Sequence, residues 1–165
     1  MDADDTPQSL SDVIQAHLAQ LQNLIDEHGW AVHAVEGTSQ GRPQFAHTVG
    51  FQDAFDHPEV VVYGLPERLS GRILNGLGEL IRQGNAPRVE TRTPDVISNY
   101  DVVFIPVTDP AADDDLIILG AMWEGRQNRA VQLVWPDSDG HFPWNPECDP
   151  ATAQNQPVRG SAPLL

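Results

Sequence analysis

The sequence contains no lysine and only one cysteine, and both shortages exclude classes of function. All nine positively charged residues are arginines, and 24 Asp and Glu residues bring the formal net charge to −15. A nucleic-acid-binding surface needs clustered positive charge to displace the counterions of the phosphate backbone, so we expect no nucleic-acid partner. Cys148 alone cannot form an internal disulfide or a cysteine-rich zinc site, which fits a reducing compartment. The acidity itself suits solubility, nucleic-acid mimicry or the binding of a basic protein.

Long apolar runs are also missing. No stretch approaches the roughly 20 apolar residues of a membrane span, and the first five residues are acidic where a secretory signal would be basic. We therefore predict a soluble, cytoplasmic protein with no membrane partner. The 165 residues, 40% of them hydrophobic, suffice for one core. We predict a disordered leader at 1–8, a single α+β domain at 9–144 and an irregular or disordered tail at 145–165.

Helical periodicity marks two long segments and suggests a third. Apolar residues from Val13 to Ile25 recur at helical spacing behind Ser9, a weak capping residue, and Gly29 should end that helix. A second helix should run from Pro66 to Gly84. The segment 116–123 follows three aspartates, which favours a helix, although its two adjacent isoleucines keep a strand possible.

Short apolar segments predict the strands. These segments are 30–35, 44–51, 60–63, 88–93, 101–105 and 130–135. The run at 60–63 does not alternate, as is typical of a strand covered on both faces. Together with the helices they predict an α+β fold: a mixed, mostly antiparallel sheet of about five or six strands with two or three helices packed on it.

Several short motifs are spread along the chain, from a Gly-Trp pair at the start of the first strand to a Phe-Pro-Trp sequence near residue 144. Their residues are Gly29, Trp30, Phe45, Thr48, Gly50, His57, Pro58, Glu59, Gly64, Leu65, Trp135, Pro136, Asp137, Gly140, Pro143 and Trp144. With these motifs the chain resembles the bacterial domain of unknown function 4262 family over most of residues 29–144. The resemblance implies a compact α/β domain and carries over no catalytic residue. His47 stands where that family more often has a tyrosine.

Two histidines are the first candidates for a metal site. His47 and His57 flank a strand-end turn that also holds Asp53, Asp56 and Glu59, and nitrogen with carboxylate ligands suits a divalent metal. The alternative is a strand-entry turn in which Pro58 fixes the backbone and the His57 ring bonds to it. We favour the turn and predict no metal, with His47 and His57 as the alternative ligands.

The segment 135–144 is the second candidate region. Its alternating aspartates before a glycine resemble part of a calcium loop, but the later acidic ligands of that loop are missing, which favours a surface turn. Trp135, Phe142 and Trp144 either wall an apolar pocket or anchor the C-terminal segment to the core. Combining both regions, the residues predicted to line a pocket or binding site are His47, Thr48, His57, Glu59, Trp135, Asp137, His141 and Trp144.

Nucleophilic catalysis has little support in the sequence. Acidic neighbours on both sides should raise the pKa of Cys148, and no serine occupies a nucleophile-elbow motif. The order of elements is similar to the start of flavin-binding split-barrel proteins. If this chain bound FMN in the same way, the candidates to hold its phosphate would be Arg42, Thr48, Arg68 and Ser70.

Two functional classes follow. The leading hypothesis is a non-catalytic binding or protein-interaction module whose partner is a basic protein or a small molecule. The alternative is a small flavin- or metal-dependent enzyme, or cofactor binder, of split-barrel-like architecture. The sequence assigns no cofactor and no catalytic residue, and leaves open whether the protein is an enzyme.

Overall fold

A six-stranded mixed sheet forms the centre of the molecule. The computed structural model describes residues 9–123 and 126–165, so the predicted leader lies outside the described residues. The strands are β1 (Ala31–Val35), β2 (Phe45–Val49), β3 (Glu59–Tyr63), β4 (Arg92–Ile97), β5 (Tyr100–Pro106) and β6 (Ala130–Val134). Their order is β1-β2-β3-β6-β5-β4, and among the pairs of these six strands β3–β6 is the parallel one. The mixed, mostly antiparallel α+β fold is confirmed. The sheet is open, with β1 and β4 at its edges, which corrects the split-barrel analogy.

Five helices accompany the sheet: α1 (Leu10–His28), α2 (Phe51–Phe55), α3 (Glu67–Arg82), α4 (Ile117–Met122) and α5 (Pro150–Asn155). The Ser9 side chain caps α1 by accepting a hydrogen bond from Asp12 N at 3.2 Å, and Gly29, with φ 96°, ends it as predicted. The helix predicted at 116–123 is confirmed as α4. A short 3₁₀ turn over Asp114–Leu116 precedes it.

The sheet is buried on both faces. Val60 and Val62 point toward α3, while Val61 and Tyr63 point toward α1 and α4. All five residues of β3 are buried, as its unalternating apolar sequence predicts.

Two strands differ from their predicted bounds by more than one residue. β2 ends at Val49 because Gly50, with φ 115°, turns the chain into α2. A side chain at Gly50 would contact Trp30 Cα at 3.1 Å, so the turn needs glycine for both its conformation and its close approach. β4 lies at 92–97 instead of 88–93, with a register shift between Thr93 and Ile97.

Part of the C-terminal segment 145–165, predicted to be irregular or disordered, forms a short helix that is held on the sheet. Residues 150–155 form α5, and Gln156 beyond it is 1% exposed. Gln156 pairs with the backbone of Trp135 through both ends of its amide, accepting from N at 2.9 Å and donating to O at 2.7 Å. Gln132 likewise donates to Pro157 O and accepts from Arg159 N. Side-chain-to-backbone bonds, which leave no periodic pattern in the sequence, therefore hold this segment on the sheet.

The described helices include none long and apolar enough to cross a membrane.

Candidate functional site

Two of the motif residues, Thr48 and Glu59, hydrogen-bond to each other in the interior, and this pair is called the Glu59 node below. Glu59 Oε1 accepts from Thr48 Oγ1 and from Phe51 N, and Oε2 accepts from Gln52 N, each at 2.9 Å. Thr48 Oγ1 in turn accepts from Val60 N at 3.0 Å. The carboxylate thus satisfies two orphan amides at the start of α2 and locks β2, β3 and α2 together. Thr48 and Glu59, predicted as binding residues, occupy the interior instead of a pocket wall.

Burial sets the ionisation of this node. It raises the pKa of Glu59 from 4.5 to about 7, against the opposing effect of the hydrogen bonds from Gln52, Phe51 and Thr48. A group of this kind suits proton transfer in principle, but every donor around it belongs to the fold itself.

His47 lies on the other face of β2. It is fully buried, its Nδ1 lies 3.0 Å from Thr48 O, and its Nε2 is buried without a hydrogen-bonding partner among the described residues. Burial lowers its pKa to about 4, which keeps the ring neutral at pH 7. Its nearest ring is that of His33, directly opposite on β1, with ring centroids 5.2 Å apart.

His57 is remote from this arrangement. Its Nδ1 lies 2.7 Å from Pro58 O, and its ring packs edge-on against Phe51, which belongs to the core under α3. Burial lowers the pKa of His57. His47 and His57 therefore lie on opposite faces of the sheet, and the structure does not bring them together as ligands of one metal ion.

Asp137 organises the loop after β6. Its carboxylate accepts from Asp139 N at 3.0 Å, from His141 N at 2.8 Å and from Asp149 N at 2.9 Å. The bond from Asp149 N contributes most to lowering the pKa of Asp137. In the described part of the chain, Asp137, Asp139 and His141 form the one group of three whose potential ligand atoms lie within 4.8 Å of one another. The sequence named Asp137 and His141 as candidate site residues, and the alternation of Asp137 and Asp139 before Gly140 had already suggested that their carboxylates lie together.

The aromatic residues of the same region serve packing. Trp135 Nε1 donates to Tyr63 O at 2.8 Å, and the stacked rings of Phe142 and Trp144, 5.2 Å apart, cover β5 and β6. These contacts anchor the C-terminal segment, and Phe142 and Trp144 also line a cleft of about 360 Å³ together with His141. Cys148 is buried nearby, and burial together with Asp137 raises its pKa.

The residues suggested for an FMN phosphate are dispersed. Thr48 and Ser70 are buried, Thr48 in the Glu59 node and Ser70 facing Leu65 O. Arg42 lies in the exposed β1–β2 loop, and Arg68 is exposed on α3.

A cleft that sequence reasoning missed opens beside β1. It has a volume of about 650 Å³ and lies between the end of α1, β1 and α3. Trp30 forms its apolar floor: the indole donates to Asn75 Oδ1 at 2.9 Å, and the Arg82 guanidinium stacks 4.8 Å above its ring. Glu27 and Glu79 stand on the rim. The Gly-Trp motif was visible in the sequence, but nothing local showed that a helix 45 residues away would face it.

A second cleft of about 530 Å³ continues along the same strand, and Val32 lines both. The strand between them is an edge strand. In residues 9–123 and 126–165, the backbone of β1 pairs with β2 alone, so its outer side has no strand partner.

The opposite edge of the sheet is blunted. β4 carries Pro94, which has no N–H to donate, and Asp95 at φ 66°, and its register is broken between Thr93 and Ile97. Proline, charge and bulges are the usual devices that keep an edge strand from pairing. β1 has neither a proline nor an Asp, Glu, Lys or Arg residue.

These features define a small acidic α+β domain in which Thr48, Glu59 and Asp137 stabilise the backbone and two clefts flank the β1 edge of the sheet. The model of a family described as "Domain of unknown function (DUF4262)" matches residues 24–149, and the chain belongs to that family. No curated protein and no solved structure matches the chain.

Proposed function

We propose that this protein is a non-catalytic binding module that takes up an extended, positively charged segment of a protein partner along the outer edge of β1. The observation that carries the proposal is the contrast between the two sheet edges. β4 is blunted by Pro94 and Asp95, whereas β1 is regular and has no strand partner in the described chain. An exposed regular edge is a template for an added strand.

The clefts support an added strand because they provide places for its side chains. One cleft lies beside Trp30 and the other beside Ala34, with Val32 between them. In strand addition, main-chain hydrogen bonds supply affinity and pockets for alternate side chains supply selectivity.

Charge favours a basic segment. The chain carries a net charge of −15, which attracts positive partners and repels acidic ones. At the cleft, the Arg82 guanidinium forms an ion pair with Glu79 at 3.2 Å and stacks on the Trp30 ring. Glu27 adds a further carboxylate to the rim.

The signature carboxylates also fit binding better than catalysis. Glu59 and Asp137 each accept three hydrogen bonds from the fold itself. A general base needs an oxygen within reach of substrate, and these oxygens face their own backbone.

The first test is an NMR titration of the full chain with the peptide Lys-Val-Lys-Val-Lys-Val-Lys, compared with the same peptide carrying Glu for Lys. We expect the lysine peptide to shift the amide signals of residues 31–35 and to slow their hydrogen exchange. The amides of 92–97 and the glutamate titration should show little change. Shifts confined to another part of the molecule, or equal responses to both peptides, would overturn the proposal.

A matched pair of variants then tests the rim charge. Glu27→Lys should weaken binding of the lysine peptide about threefold to fivefold, the usual effect of one partly exposed charge pair. Asp26→Lys makes the same charge change one residue away on α1, outside the cleft lining, and should have a smaller effect. A lysine in the last turn of a helix suits its dipole, so both variants should fold. Equal weakening by the two variants would show that net charge, not the cleft, attracts the peptide.

A further inference from the structure

Three histidines form a file that runs from the surface into the sheet. His17 is exposed on α1, His33 is partly buried on β1, and His47 is fully buried on β2. The ring centroids of His17 and His33 are 5.6 Å apart, and those of His33 and His47 are 5.2 Å apart.

The separation of the rings fits shared metal ligation. A zinc ion binds imidazole nitrogen at about 2.0–2.1 Å, so two rings on one tetrahedral ion have centroids about 5 Å apart. His33 and His47 are register partners on adjacent antiparallel strands, which fixes their side chains side by side on one face.

The buried nitrogen of His47 is the second, independent observation. His47 is 0% exposed, and its Nε2 has no hydrogen-bonding partner among the described residues, while Nδ1 faces Thr48 O. A buried polar atom without a partner costs about 1–3 kcal/mol, so its persistence points to a group that the nitrogen is placed to bind. The backbone contact at Nδ1 leaves Nε2 as the ligand atom, the arrangement typical of metal-bound histidine.

We infer that His17, His33 and His47 form a zinc-binding site, in which His33 and His47 hold the ion between β1 and β2 and His17 supplies a third ligand from α1. Imidazole ligands suit Zn²⁺, Cu²⁺ and Ni²⁺ and are a poor match for Mg²⁺ or Ca²⁺. The ligand atoms of the three rings do not all lie within 4.8 Å of one another, so His17 must rotate toward the pair when the ion enters. Its exposed position leaves room for that rotation.

The Asp137, Asp139 and His141 group is the competing site. Its ligand atoms are closer together, but the Asp137 carboxylate already accepts three backbone hydrogen bonds that account for its burial without an ion. The two sites share no residue, so single substitutions separate them.

The experiment is isothermal titration of the metal-free full chain with ZnCl₂, and a visible absorption spectrum with Co²⁺ in place of Zn²⁺. We expect one zinc ion per chain, and a cobalt spectrum typical of tetrahedral nitrogen ligation. His33→Gln and His17→Gln should each weaken zinc affinity more than about tenfold, since even loss of an outer hydrogen-bond partner of a ligand costs 10–100-fold. His57→Gln and Asp139→Asn should retain the affinity.

Three outcomes would overturn the inference: no zinc binding by the unsubstituted chain, unchanged affinity in His33→Gln, or loss of binding in Asp139→Asn. Unchanged affinity in His17→Gln would overturn the role of α1. His17 is exposed, so its substitution tests the site even where the His33 variant folds poorly.

Discussion

Glu59 shows how one buried side chain can organise a turn. Its carboxylate joins Thr48, Phe51 and Gln52, so the chain leaves β2, forms one helical turn and returns as β3 with its amides satisfied. Burying a carboxylate has a cost, which appears here as the raised pKa of the group. The stability of the protein should therefore depend on the charge of this residue.

The stability of the protein should depend on pH through Glu59. The pKa of Glu59 rises from 4.5 to about 7 on folding, so its contribution to stability is complete below pH 4.5 and is lost as the pH rises through 7. The difference in unfolding free energy between the unsubstituted protein and Glu59→Gln should fall by about 3 kcal/mol over that range. Urea denaturation at several pH values measures it.

The lowered pKa values of His33, His47 and His57 make stability rise with pH, which is opposite to the effect of Glu59. These histidines are present in both proteins, so their effect cancels in the comparison with Glu59→Gln. A difference that stays constant from pH 4.5 to 7.5 would mean that Glu59 is ionised throughout.

The sequence identified residues better than it identified their neighbours. The motif residues found in the sequence included Thr48 and Glu59, which hydrogen-bond to each other in the structure. Because side chains alternate along a strand, His47 lies on the opposite face of β2 from Thr48. His57 packs on the Thr48 face, and the sequence did not show that the turn before β3 would place it there. His17 lies on α1, the helix directly before β1, and nothing in the sequence showed that its ring would lie beside His33.

At the scale of elements, the two long helices were predictable, whereas of the three short helices only α4 was predicted. α1 and α3 have 19 and 16 residues, enough for an apolar stripe to be seen and for their ends to be marked. α2 and α5 have 5 and 6 residues and depend on contacts from elsewhere: Glu59 holds the start of α2, and Gln156 fixes the chain after α5. One turn of helix is not stable alone, so no local pattern marked α2 or α5, whereas the three aspartates before α4 did mark that helix.

Close packing against Trp30 explains one interior glycine of α3, Gly78, and a matched pair of variants tests this explanation. A Cβ at Gly78 would lie within 3 Å of the Trp30 indole, whereas a Cβ at Gly76 meets no atom within 4 Å. Gly78→Ala should reduce the unfolding free energy by about 1–3 kcal/mol through overpacking. Gly76→Ala should raise it by up to about 1 kcal/mol, because alanine is the better helix former.

Guanidinium denaturation of both variants makes the comparison within one helix. Similar effects of the two substitutions would mean that helix propensity alone decides, and that the Trp30 contact is not tight.

At the scale of the whole molecule, the C-terminal segment completes the face of the sheet that α1 and α4 leave open. Phe142 and Trp144 cover β5 and β6, and the Arg159 side chain reaches Tyr63, Asp113 and Asp115. The number and type of strands followed from local sequence. The strand order and this closure did not, because they depend on pairings between distant parts of the chain, such as Glu59 with Ala130 and Asp115 with Arg159.

Shortening the chain tests whether this segment belongs to the folded unit. Removing residues 146–165 strips both backbone partners from the Gln132 side chain and one of three from Asp137, and it removes the cation from Asp113 and Asp115. Each buried polar group left without a partner costs about 1–3 kcal/mol, so we expect a loss of at least about 3 kcal/mol.

Removing Leu164 and Leu165 alone, which are 101% and 52% exposed, should change stability by less than about 0.5 kcal/mol. Chemical denaturation compares the two, and Gln156→Leu, which keeps full length but breaks the bonds to Trp135, should fall between them. Equal stability of the long truncation and the intact chain would show that the sheet closes without its C-terminal segment.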